Sequence, residues 1–90
     1  MVEIRTFEIV NRLGIHARAA AKIVETAHRF RAGVFLEKDG AEVDGRSILG
    51  ILTLCCPKGS RLTVRTEGDD AAEAMAALAG LIEDKFGEGS

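Results

Sequence analysis

Apolar and polar residues along the chain change period several times, and each change marks an element. From Val2 to Val10 the residues are mostly β-branched or apolar, with Val2 and Ile4 in one phase and Phe7 and Ile9 in the other. That pattern predicts a strand with an irregular start. Asn11 to Gly14 reads as a turn. Beyond it Ala20, Ile23, Val24 and Ala27 recur at helical spacing, with Lys22, Glu25 and Arg29 on the other faces, so a helix starts near His16. Val34 to Lys38 and Ala41 to Asp44 flank Asp39-Gly40, the dipeptide suited to a type I′ hairpin. Ser47 stands where its hydroxyl can cap a short helix over Ile48 to Leu52, and Pro57 and Gly59 mark the following loop. Arg61 to Thr66 alternates again and predicts a strand with one buried face. A second long helix follows: Asp70 and Glu73 have capping-box spacing, and Ala74, Leu78, Ile82 and Phe86 repeat every fourth residue before Gly87.

The predicted order is β-α-β-β-α-β-α. Four strands with one apolar face, and two longer helices with one apolar stripe each, satisfy one another if the helices cover one side of an antiparallel sheet. The expected fold is therefore α+β, an open-faced sandwich, with residues 1–90 forming a single domain uninterrupted by linker or repeat.

Size and charge narrow the function classes. A domain of 90 residues buries only about 60 to 65% of its unfolded surface and has little room for a large catalytic cleft. Twelve Lys and Arg against 14 Asp and Glu give a net charge of -2, and the chain has no Tyr or Trp. Neither a nucleic-acid interface nor an anionic membrane is an expected partner. Glu3, Arg5 and Glu8 interrupt the apolar start, which argues against a signal peptide and for the cytoplasm. Cys55 and Cys56 are adjacent and have no zinc-ligand spacing, so no disulfide framework, metal site or cofactor is expected; packing and loop roles suit them better. His28 would lie about 18 Å from His16 along a continuous helix, so the two do not share a metal, and His28 is expected in solvent near the helix end.

The candidate chemistry centres on Gly14-Ile15-His16-Ala17-Arg18, where a turn becomes a helix. The first amides of a helix have no intrahelical partners and carry a partial positive charge, a setting that suits a neutral imidazole nucleophile and then an attached phosphoryl group. Arg18 can pair with phosphate oxygens, and Arg12 adds positive charge nearby. Transfer to an imidazole nitrogen is reversible, because the bond formed is a labile phosphoramidate.

The stretch Leu13-Gly14-Ile15-His16-Ala17-Arg18-Ala19-Ala20-Ala21 resembles the active-site signature of the histidine-containing phosphocarrier (HPr) family. Gly45-Arg46-Ser47-Ile48-Leu49-Gly50 resembles that family's second signature, and Gly68-Asp69-Asp70-Ala71 opens the final helix as in the family. The resemblance implies a phosphocarrier of the phosphoenolpyruvate-dependent phosphotransferase system, a cosubstrate and not an autonomous enzyme. It implies that His16 is phosphorylated on Nδ1 by an enzyme I-type donor, that Arg18 steadies the phosphate, and that an enzyme IIA-type protein is the acceptor. It also implies that Ser47 is open to regulation by an HPr kinase/phosphorylase, and that Ile48, Leu49 and Leu52 meet partners beside His16. The chain departs from the family at Ala19, where proline usually follows the arginine; alanine keeps the helix but restrains the backbone less. A monomer is expected. The alternative function is a regulatory module that docks through Ser47 on a kinase or transcription regulator.

Overall fold

The computed structural model describes residues 1–90. In chain order its elements are β1 (Val2–Glu8), α1 (Ala17–His28), β2 (Gly33–Lys38), β3 (Ala41–Asp44), α2 (Ile48–Thr53), β4 (Arg61–Glu67) and α3 (Ala71–Glu83), followed by a 3-10 turn, Lys85–Gly87. The strands form one antiparallel sheet in the order β1-β4-β2-β3. Three helices lie on one side of it, as the order β-α-β-β-α-β-α predicts.

Strand alternation explains where the core sits. Leu62, Val64 and Thr66 of β4 and Val34 and Leu36 of β2 point to the helices and are buried, while Arg61, Thr63 and Arg65 point to the open face. Ala19, Ala20, Ile23 and Ala27 of α1 and Met75, Leu78, Ala79 and Ile82 of α3 close over them. On the open face Arg65 lies 4.3 Å from the centroid of Phe35 and pairs with Glu42 and Glu67, so its cation covers an aromatic ring that the helices leave exposed. The Asp39-Gly40 hairpin forms with both residues at positive φ, 53° and 84°.

Three features differ from the expectation. β1 ends at Glu8, and Val2 and Ile4 are exposed, because they alternate with Phe7 and point to the open face, Ile4 pairing with Arg65. Asp70 does not cap its own helix: its carboxylate accepts the backbone N–H groups of Arg31 and Ala32 at 3.0 and 2.8 Å, tying the end of α1 to the start of α3. The last helix stops at Glu83, since Lys85 and Phe86 take φ of 55° and 56°. The reversal turns Phe86 into the core, where it is 1% exposed. Fourfold spacing continues through Phe86, but the burial comes from a kink and not from another helical turn.

Candidate functional site

The loop before α1 is held by backbone packed on backbone. Gly14 has φ of 66°, and a Cβ there would stand 2.4 Å from Cys56 O and 2.8 Å from Pro57 Cα. The close approach lets Ile15 N–H donate to Cys56 O at 2.8 Å, and Ile15 itself is buried. With Gly14 and Ile15 pinned, His16 becomes the N-cap of α1, its backbone extended (φ -93°, ψ -176°). Ala19 is fully buried in the core.

His16 has different surroundings on its two ring nitrogens. Nδ1 accepts from the Arg18 backbone N–H at 3.2 Å, in the first turn of the helix. The first α1 amide to bond within the helix is that of Ala20, to His16 O at 2.9 Å, so the Ala17 and Ala19 amides have no partner and that of Arg18 has only Nδ1. Nε2 pairs with the carboxylate of Glu88, which also accepts from Asn11 Nδ2 at 3.0 Å. These two contacts hold the Glu88 carboxyl below the ordinary carboxylate range, the His16 hydrogen bond contributing most and the Asn11 one next. The His16 side chain is 28% exposed, enough for a reacting group to reach it. Arg12, Leu13, Arg18, Lys22 and Glu88 line an open depression of about 400 Å³ at this end of α1. The guanidinium groups of Arg12 and Arg18 form no ion pair.

Ser47 caps α2, its Oγ accepting from Gly50 N–H at 3.0 Å. Leu49 is 77% exposed and Ile48 41%, whereas Leu52 is half-buried against the core; a six-residue helix turns only part of its apolar face outward. Arg46 points inward, donating to the carbonyls of Ala27, Phe30 and Ala32 at 3.2, 2.8 and 3.0 Å. It caps the C-terminal end of α1, where a cation is favoured. His28 is exposed in the last turn of α1. Cys55 is exposed and Cys56 buried, and burial pushes the Cys56 thiol up, away from thiolate chemistry.

The structure thus brings Arg12 and Arg18 to one depression with Glu88, the partner of His16, whereas Ser47, Ile48 and Leu49 lie at the start of α2 next to Arg46, whose side chain reaches the C-terminal end of α1. Sequence reasoning missed Leu13, Lys22, Asn11 and Glu88. Leu13, 66% exposed, is an apolar residue in a turn and was visible as such. Glu88 was not, because its partner lies 72 positions away.

Comparison with known proteins agrees with this geometry. Residues 4–84 match the family model described as PTS HPr component phosphorylation site. Phosphocarrier protein HPr of Neisseria meningitidis is 45% identical over 85 residues, covering 94% of this chain and 96% of that protein. The HPr-like protein Crh of Halalkalibacterium halodurans is 45% identical over 83 residues, covering 92% and 98%. A crystal structure of HPr-C-His from Thermoanaerobacter tengcongensis superposes with a TM-score of 0.92 at 45% identity, covering 96% of this chain and 97% of that one. An imidazole at a helix N-terminus, on an open-faced sandwich shared along nearly the whole chain, places this protein in the HPr family: it is a phosphocarrier of the phosphotransferase system and not an autonomous enzyme.

Proposed function

We propose that His16 accepts a phosphoryl group on Nδ1 from a phosphorylated enzyme I-type protein and passes it to an enzyme IIA-type acceptor. One observation carries the reading: Nδ1 faces the first turn of α1, where it accepts from the Arg18 amide, while Nε2 is already occupied by Glu88. A phosphoryl group on Nδ1 would meet the Arg18 amide and the unpaired charge of the Arg18 and Arg12 guanidiniums, which balance its negative oxygens. Positioning and charge neutralisation are most of what a loose phosphoryl-transfer transition state requires.

Exposed Leu13, Ile48 and Leu49 supply the apolar part of a docking surface, to which half-buried Leu52 adds little. A small surface suits a carrier that two different proteins bind and release rapidly. Residues 1–90 act as one phosphocarrier unit, monomeric and cytoplasmic in this reading.

The test is incubation with phosphoenolpyruvate and a bacterial enzyme I, followed by intact mass for an acid-labile phosphate. His16→Ala should abolish labelling. Wild type left unlabelled by several competent donors would overturn the assignment.

A second reading, regulation through Ser47, is favoured by the cap geometry, which presents the hydroxyl at the start of α2. Phosphorylation of Ser47 would place a dianion beside exposed Ile48 and Leu49 and alter docking there. Incubation with an HPr kinase/phosphorylase and ATP tests it: a stable phosphate lost in Ser47→Ala supports the reading, and none refutes it.

A further inference from the structure

Glu88 lies outside the matched residues 4–84, yet its carboxylate is held in place from several directions. Phe86, two residues before it, is sunk in the core at a positive φ of 56° that bulky residues rarely adopt. Lys22 Nζ donates to Phe86 O at 2.5 Å. Asn11, fully buried, donates both to Gly14 O at 2.7 Å and to Glu88 Oε1 at 3.0 Å. The carboxylate is therefore tied to the same turn that carries His16, and its other oxygen meets Nε2.

We propose that Glu88 is a positioning residue for phosphoryl transfer: its carboxylate keeps the ring proton of His16 on Nε2, so that the lone pair stays on Nδ1 for the incoming phosphorus, and stabilises the phosphoimidazolium that results. The inference rests on the reading of His16 as the phosphoryl acceptor. A neutral imidazole has one N–H. Nδ1 faces an N–H donor and so carries the lone pair, and Nε2 faces a carboxylate and so carries the proton.

With that tautomer the step balances without moving a proton. The P–N bond of a donor phosphohistidine, its own ring protonated, breaks as the bond from phosphorus to Nδ1 forms. The donor nitrogen keeps the electron pair of the broken bond and becomes a neutral imidazole. His16 gains the phosphoryl group and, still protonated on Nε2, a positive ring charge beside the Glu88 anion. Onward transfer runs the same way, and the retained Nε2 proton lets His16 leave as neutral imidazole instead of imidazolate. The other charged groups facing the pair are Arg12 from the turn and Arg18 and Lys22 from α1. All three are common to wild type and variants.

Two measurements on the full chain test this. Proton NMR of the unphosphorylated protein should show a strongly deshielded, slowly exchanging His16 ring N–H in wild type that is lost in Glu88→Ala. After phosphorylation with phosphoenolpyruvate and enzyme I, onward transfer to an enzyme IIA-type acceptor is followed against pH. Glu88→Gln should be about tenfold slower, the size expected for one charge-assisted hydrogen bond that is partly solvated. Its alkaline limb should move to lower pH, because a neutral neighbour no longer favours the protonated phospho-ring. Circular dichroism melts establish that both variants are folded. An unchanged ring N–H in Glu88→Ala together with an unchanged alkaline limb in Glu88→Gln would overturn the inference and leave His16 as the acceptor. Wild type that takes no phosphate would overturn both.

Discussion

Gly14→Ala tests whether the His16 loop is held by backbone contact with the Cys56-Pro57 loop. Two costs add. An alanine at φ of 66° is disfavoured by about 1–2 kcal/mol. Its Cβ, 2.4 Å from Cys56 O, also forces the two loops apart and removes the hydrogen bond from Ile15 N–H, worth about 1 kcal/mol net. The sum is about 2–3 kcal/mol, a large share of the roughly 5–15 kcal/mol that holds a typical domain together. Gly40→Ala is the matched control: φ there is 84°, but nothing lies within 4 Å of the new Cβ, so only the backbone cost of about 1–2 kcal/mol applies. Urea unfolding followed by circular dichroism should show a lower midpoint for Gly14→Ala than for Gly40→Ala, with the slope unchanged. Phosphoryl acceptance should fall in Gly14→Ala alone, by up to about a hundredfold if the imidazole moves by 1 Å. Equal destabilisation by the two substitutions would refute the reasoning, since it would mean that the Cys56-Pro57 loop yields without cost.

Phe86→Ala should cost about 3–5 kcal/mol of stability in a thermal melt, whereas Phe86→Leu, which refills most of the volume, should cost much less; similar losses would show that burial of the ring is not what anchors the turn after α3. Asp70→Asn should destabilise the fold at neutral pH, because an amide offers one acceptor oxygen where the N–H groups of Arg31 and Ala32 use two. The Asp70 carboxyl is held below its ordinary range, first by the Arg31 N–H and then by that of Ala32. Its contribution is thus complete above the unfolded value, near 4, and is lost as pH falls through the lower folded value. Urea midpoints of wild type and variant should converge in strong acid, and a gap that persists to pH 2 would contradict this. Leu49→Ala, at a side chain 77% exposed, should change stability by less than about 0.5 kcal/mol while lowering kcat/KM for phosphorylation by the donor; an unchanged kcat/KM would remove Leu49 from the docking surface.

Elements whose burial follows a local period were legible in the sequence. β4 alternates because one face meets the helices and the other meets solvent, and Asp39-Gly40 declares its turn through backbone angles that few other pairs adopt. Phe86 misled because a residue four positions after Ile82 belongs on the same stripe only while the helix lasts, and two consecutive left-handed residues end it. Asp70 misled for a related reason: its position suits a cap, but two free amides of the α1–β2 connection compete for the carboxylate and win. His16 and Arg18 stood out as candidates because a helix start, an imidazole and a cation are adjacent in the chain, and more so because the stretch Leu13 to Ala21 resembles the HPr signature. Asn11 read only as a turn residue, and Glu88 as one acidic residue among many, since nothing local distinguishes a carboxylate that binds a ring formed early in the sequence.

The sheet order has a consequence for how the molecule is made. β1, the first strand in the chain, pairs only with β4, so that Val2 meets Glu67, and pairing at such sequence separation is slow because a long loop must close before any contact rewards it. A nascent chain that has emerged only as far as α2 has its histidine and its arginine but no seat for β1 and no carboxylate for the ring. The sheet and the contacts around the His16 ring are therefore completed late, when the fourth strand and the residues after α3 have come through.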